Sequence, residues 1–341
     1  MRAFAELLDS LSTTQSRNGK LALLKAYFRA TPDPDRGWAL AALTGSLPLR
    51  LPLRRSLDVL MAERIDPTLY RLSRDYVGDT AETVALLWPN AQHGLDTADD
   101  APSLADVMAA LDVPAAGVAA VIGGFLDRLD ARGRWALLKF IGGAARVGVS
   151  SGLAKTAVAD AFGLVLGDVL EAWHALTPPY AELFAWAEGR APRPDASGLP
   201  VFRPLMLAAP IEDADWAAID PSGITAEWKW DGIRIQIAAT PRATRLYSRT
   251  GDDISGAFPE IVAAFSGHDV TLDGELLVVR DGIVAPFNDL QQRLNRKTVT
   301  LRQRKTHPAH VRVYDMLSAG GEDTRPLTFS DRRARLKAWF D

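Results

Sequence analysis

The feature that most constrains this chain is a change of hydrophobic period near residue 190. Up to about Gly189, runs such as LALLKAYFRA, RRSLDVLMAERI, VAAVIGGFLDRL and LAKTAVADAFG space apolar residues at three and four, the period of helices with one buried face. The breaks TPDPDRG, GSLPLRLP and PNAQHGLDTADDAPS (89–103) carry the Pro, Gly and Asp that stop and start helices. Beyond the Pro-rich stretch GRAPRPDASGLPVFRPLMLAAP the period becomes two, in ITAEWKW, IRIQIAA, TRLYSR, DVTLDGELLVV and HVRVYDML. A chain of 341 residues that is 48% hydrophobic has material for two cores. The pattern predicts a multidomain protein, with an all-α domain over 1–189, a linker over 190–205 and an α+β domain over 206–341.

Composition removes several classes of chemistry. There is no cysteine, hence no disulfide, thiolate zinc site or cysteine nucleophile. The opening MRAFAELLDSLSTT carries Glu6 and Asp9 and lacks the form of a signal peptide, and no apolar run reaches the roughly 18 residues of a membrane span. A soluble, cytoplasmic protein is expected. Net charge is −3, but residues 290–341 hold 12 Lys/Arg against 5 Asp/Glu, a basic segment that suits either phosphates or solvent.

Candidate chemistry lies in the strand-rich half. In AEWKWDG, alternation predicts a strand with Glu227, Lys229 and Asp231 on one face and Trp228 and Trp230 on the other. Asp231-Gly232 reads as a turn that carries Arg234 back to the same neighbourhood. Asp273 and Glu275 share one side of DVTLDGELLVV, opposite Leu272, Leu276 and Val278; this pattern also fits the wet face of an edge strand. Arg249 precedes a Gly-Asp turn, and Tyr314 lies beside Asp315 in a β-run.

Taken in order, K-W-D-G, Y-S-R-T-G, L-D-G-E and V-Y-D-M-L resemble motifs I, Ia, III and IIIa of the covalent nucleotidyltransferases, and of ATP-dependent DNA ligases in particular. The helical half resembles the N-terminal DNA-binding domain of bacterial ligases encoded beside a large helicase, through TTQSRNGKLALLKAYFR, ALAALTG, DYVGDTAETVALLW and FIGGAARVGVSSGLAKTAVADAFG. The resemblance implies a nucleotidyltransferase domain of the ATP-grasp-like kind, with ATP as co-substrate, Mg²⁺ as cofactor and Lys229 as the nucleophile that becomes a lysyl-AMP. An ammonium has no lone pair, so attack needs the neutral amine, which partial burial between Trp228 and Trp230 and nearby cations would favour. It further implies that Glu227 reads adenine, Arg234 and Arg249 contact the nucleotide, Glu275 takes the ribose or metal side, and Tyr314 stacks on the base where such proteins often carry phenylalanine.

For the helical half, the resemblance implies backbone contact with duplex DNA through Arg17, Lys20, Arg146 and Lys155, beside Gly142, Gly143 and Gly148. Without the resemblance, the same residues read as tight helix–helix turns with solvated cations. Nicked duplex DNA is the implied partner, with helicase or nuclease partners, a monomeric state, nucleoid association and roles in DNA repair, replication and recombination as further expectations. Family members continue into an E-G-φ-φ-φ-K stretch (φ apolar), a further lysine motif and an OB-fold, so the sequence reads as an amino-terminal portion with an incomplete nucleotidyltransferase domain. NAD-dependent ligases share K-x-D-G but bring a nicotinamide-binding front domain and a cysteine zinc site. Two alternatives remain open at this point: another covalent nucleotidyltransferase such as an RNA ligase, and a DNA-binding module with an inactive half-domain.

Overall fold

A computed structural model describes residues 1–89, 101–143, 145–294, 296 and 298–341. The loop expected over 89–103 therefore lies mostly outside the described residues. The chain divides into two compact units: 1–169 with 176–194, and 170–175 with 195–341.

Among its described residues, the first unit is entirely helical. Its helices begin where polar side chains can accept from exposed first-turn N–H groups: Ser16, Asp66, Asp79, Ser103, Asp130 and Ser150 each do so. Apolar stripes then meet in a core that includes Phe4, Leu8, Leu24, Phe28, Leu40, Phe140, Val158 and Phe184. Arg36 is buried there with ion pairs to Asp33 and Glu188 and its guanidinium over Phe184, which satisfies a charge that would otherwise be costly to enclose.

The second unit is built on an antiparallel sheet. Its main strands are β1 (Ile233–Ala239), β2 (Thr244–Ser248), β3 (Val270–Arg280) and β5 (Ala309–Ala319), with the two-residue strands β4 (Ile283–Val284) and β6 (Glu322–Asp323), in the order β2-β1-β3-β5-β6 with β4 on β3. One face is apolar: Ile235, Ile237, Leu246, Leu272, Leu276, Val278 and Met316 cluster with Phe258, Ile261, Leu290 and Leu336 from the covering helices. The opposite face of β1 and β3 carries Arg234, Gln236, Asp273 and Glu275, the set left by period-two alternation.

Two expectations are corrected here. The stretch from Ile224 to Trp230 is not a strand: it runs exposed and irregular into β1, and Trp228 is 85% exposed. The β1/β3 ladder begins at Ile233 and the β1/β2 ladder at Ile235, so the preceding residues lie outside both. Asp273 and Glu275 are not the wet face of an edge strand either, because β3 is central and Asp273 is fully buried.

Residues 200–206 do more than link. Phe202 is buried against Ala238 and Tyr247, and the Gln236 side chain pairs with the Arg203 backbone, accepting from its N–H at 2.6 Å and donating to its carbonyl at 2.9 Å. The Tyr247 hydroxyl donates to the Pro200 carbonyl at 2.6 Å. This strap therefore covers part of the polar face of the sheet.

Candidate active site on the polar face of the sheet

The register of the sheet assembles the candidate residues. Arg234 pairs with Glu275, and Glu275 with Arg312, giving an Arg–Glu–Arg row across β1, β3 and β5. Ile235 pairs with Ser248, and Arg249 follows exposed in the turn after β2. Between Asp273/Asp315 and Gly274/Val313 the β3/β5 register skips Tyr314, which is thus the extra residue of a bulge. Bulges re-aim a side chain, and Gly274 permits this one: a Cβ there would lie 2.8 Å from the Arg312 carbonyl oxygen.

Arg234 is the hub. Its Nε donates to Asp273 Oδ1 at 3.1 Å and its Nη2 to Asp273 Oδ2 at 2.5 Å, while Nη2 also donates to the Met206 carbonyl at 2.9 Å. Its guanidinium lies 5.7 Å from the centre of the Tyr314 ring. The hydrogen bonds to Asp273 raise the Arg234 pKa further, and burial pushes the Asp273 carboxyl up while Arg234 opposes that push. Burial likewise raises the Tyr314 phenol. Glu275 is pushed up to about 7 by burial, with the charges of Asp273 and Asp231 adding to the rise and Arg234 countering it. Burial thus works against the ionised form of this carboxyl, and a bound cation would favour it.

The K-x-D-G segment enters this face at Gly232. A Cβ there would lie 2.5 Å from the Leu276 carbonyl oxygen and 2.8 Å from Glu275 Cγ, so the backbone is pressed onto β3 and only glycine fits. Trp230 rests on Arg312, whose guanidinium carbon is 5.0 Å from the ring centre. Glu227 reaches Arg333 at 3.6 Å, and Arg333 donates in turn to the Tyr314 carbonyl. Lys229 is exposed between these contacts. The expected sleeve of two tryptophans is absent, since Trp228 points to solvent and Trp230 packs on Arg312.

Arg234, Glu275 and Tyr314 are thus brought together, Glu227 and Lys229 lie on the segment beside them, and Arg249 stands at the end of the neighbouring strand. Sequence reading missed Arg312, although the alternation V-R-V-Y places it two residues before Tyr314. Among the described residues no group of three His, Cys, Asp or Glu side chains is arranged to hold a metal. A Mg²⁺ that takes one or two carboxylates and fills its remaining positions with phosphate oxygens and water fits Glu275 with Asp231 nearby.

In the first unit the four basic candidates divide. Arg17 is exposed in the first turn of helix Arg17–Ala30, and Arg146 is exposed with a left-handed backbone, φ +52°. Lys20 is committed to structure: its ammonium donates to the carbonyls of Val147 at 2.7 Å and Gly148 at 3.3 Å, fastening the loop that carries Arg146. Lys155 is only 8% exposed, on helix Ser151–Phe162 beside the buried Val158 and Ala159.

Residues 205–341 match the family model described as the ATP dependent DNA ligase domain. This segment belongs to the ATP-dependent DNA ligase family. The chain is similar along its whole length to a probable DNA ligase of Koribacter versatilis (28% identity, 100% of this chain, 61% of the relative). A probable DNA ligase of Anaeromyxobacter sp. is 34% identical over 70% of this chain and 49% of its own. Among solved structures, mycobacterial DNA ligase D complexed with ATP and MES is 28% identical over 33% of this chain and 36% of that one, with a TM-score of 0.28. The chain thus spans less than two thirds of the length of these relatives. No helix among the described residues is long and apolar enough to cross a membrane.

Proposed function

We propose that this chain supplies the adenylyl-transfer chemistry of an ATP-dependent DNA ligase, with Lys229 as nucleophile. The observation that carries the reading is the placement of the ligase-domain motifs on one sheet face: Arg234 and Glu275 paired in register, Tyr314 turned out by a bulge, and the Lys229 segment fed in through Gly232.

In the first step the neutral Lys229 amine attacks the α-phosphorus of ATP, a P–N bond forms and the P–O bond to pyrophosphate breaks. Attack needs the lone pair of the unprotonated amine. AMP then passes to the 5′-phosphate at a nick, and the 3′-hydroxyl attacks that phosphate with loss of AMP. Arg234, held by Asp273, presents a fixed cation to the nucleotide phosphates, and Arg249 adds an exposed one. Tyr314 offers a ring face for adenine, and Glu227 a carboxylate that accepts from its exocyclic amine. Glu275, with Asp231, would hold Mg²⁺, which when bound withdraws charge from the phosphate oxygens.

The finer assignments belong to the same proposal. The second unit is read as an ATP-grasp-like nucleotidyltransferase core. The first is read as a DNA-binding domain in which the exposed Arg17 and Arg146 contact the duplex backbone and Lys20 holds the Arg146 loop. Duplex joining, a monomeric state and roles in repair, replication or recombination rest on this reading, as do helicase or nuclease partners and a place at the nucleoid. Exchange of labelled pyrophosphate into ATP tests the first step. Exchange that needs ATP and Mg²⁺ and disappears in Lys229→Ala supports it; exchange equal to a protein-free control refutes it.

A further inference from the structure

Among the described residues no hydrogen bond or ion pair orients Lys229, yet Glu227 and Trp230, on either side of it, both have partners. Two positions before it, Glu227 meets Arg333 of helix Phe329–Phe340 at 3.6 Å. One position after it, Trp230 lies over Arg312 of β5, 5.0 Å from ring centre to guanidinium carbon. Both arginines are themselves located by the sheet: Arg312 pairs in register with Glu275, and Arg333 donates to the carbonyl of Tyr314. Across the remainder of this irregular stretch Trp228 is 85% exposed and Ile224 47% exposed, so neither apolar side chain anchors it. The next firm attachment toward the C-terminus is the pressed backbone of Gly232.

We infer that Arg312 and Arg333 are positioning residues that bracket Lys229 and hold its segment over the Glu275–Tyr314 surface. This inference rests on the adenylyl-transfer reading for its consequence, but the bracket itself is a property of the chain. A cation over an indole at a partly exposed site contributes an amount equivalent to roughly a two- to five-fold shift in equilibrium, and an exposed carboxylate–arginine pair contributes less, at most about five-fold. Each contact is weak alone. Because they act on opposite sides of Lys229, at Glu227 and Trp230, loss of both frees the segment from Ile224 to Asp231.

Trypsin cleaves after lysine only when several residues on each side can extend into its cleft, so cleavage after Lys229 reports how often this segment leaves the sheet. The test compares the intact chain with Arg312→Met, Arg312→Lys, Arg333→Met and the double Met variant, mapping the Lys229–Trp230 cut by mass spectrometry. Arg312→Met should speed that cut roughly two- to five-fold, Arg333→Met by less, and the double variant by at least the product. Arg312→Lys, which keeps a cation over the ring, should stay near the parent. An unchanged rate in both Met variants, or equal acceleration in Arg312→Lys and Arg312→Met, overturns the bracket. Cleavage at sites in the first unit is the folding control, and a variant that accelerates those as well is replaced by Trp230→Leu, for which the same increase is required. The second readout is transfer of α-labelled AMP to Lys229. If the bracket serves the reaction, the Met variants lose transfer rate at saturating ATP while half-saturation changes little. No transfer in the parent sinks the adenylyl-transfer reading and leaves the protease result to decide the bracket.

Discussion

Glu275 offers the sharpest physical test of the site. Burial lifts its carboxyl to about 7 from an ordinary 4.5, so the folded state resists its ionisation. With a folded value above the unfolded one, the favourable contribution is fully present below about pH 4.5 and is lost as pH rises through about 7. At about 1.4 kcal/mol for each pH unit, the full difference would be about 3 kcal/mol, and solvent screening of a half-buried group leaves about 1–2 kcal/mol. Glu275→Gln keeps the shape and fixes the neutral state. Without Mg²⁺ or nucleotide, the variant and parent should have similar stability near about pH 5, and the variant should be more stable by about 1–2 kcal/mol near about pH 8.5. Urea unfolding followed through protection of the β3 amides reads the relevant unit, since the two units need not unfold together. An equal offset at both pH values, or a parent that gains stability relative to the variant as pH rises, refutes the argument.

Other outcomes follow from single contacts. Gly232→Ala should destabilise the sheet unit by about 1–3 kcal/mol, measured by the same unfolding assay, because its Cβ has no space above Leu276 and Glu275. Tyr314→Ala should weaken ATP binding in calorimetry far more than Tyr314→Phe, because stacking needs the ring; equal loss would point to the hydroxyl instead. Arg17→Glu with Arg146→Glu should weaken duplex binding without regard to sequence and reduce its salt dependence, with helical circular dichroism unchanged. Lys20→Met, by contrast, should loosen the 146–148 loop, seen as faster amide exchange there, because two carbonyls lose their donor.

Much of the sheet was legible because IRIQIAA, TRLYSR, DVTLDGELLVV and HVRVYDML each alternate and each has a partner to pair with. AEWKW alternates as well, but alternation reports only which faces differ. It cannot report where a ladder begins, and so the segment carrying Lys229, which precedes the first pair at Ile233, was misread as a strand. The burial of Lys155 was legible: its helical neighbours at three and four, Val158 and Ala159, are core residues. The tether from Lys20 to Val147 and Gly148 spans more than 120 residues, and local sequence carries no signal for it. The bulge at Tyr314 depends on two strands being compared in register, with Gly274 as its one visible trace.

The central claim is that Lys229 carries the AMP. The direct measurement is incubation of the chain with Mg²⁺ and α-labelled ATP, followed by proteolysis and mass-spectrometric location of an acid-labile, hydroxylamine-sensitive adduct. The account predicts one AMP on Lys229, pyrophosphate released in equal amount, and no label in Lys229→Ala or with γ-labelled ATP. Label on another residue, label that survives Lys229→Ala, or an unlabelled chain under conditions where ATP is bound would contradict it.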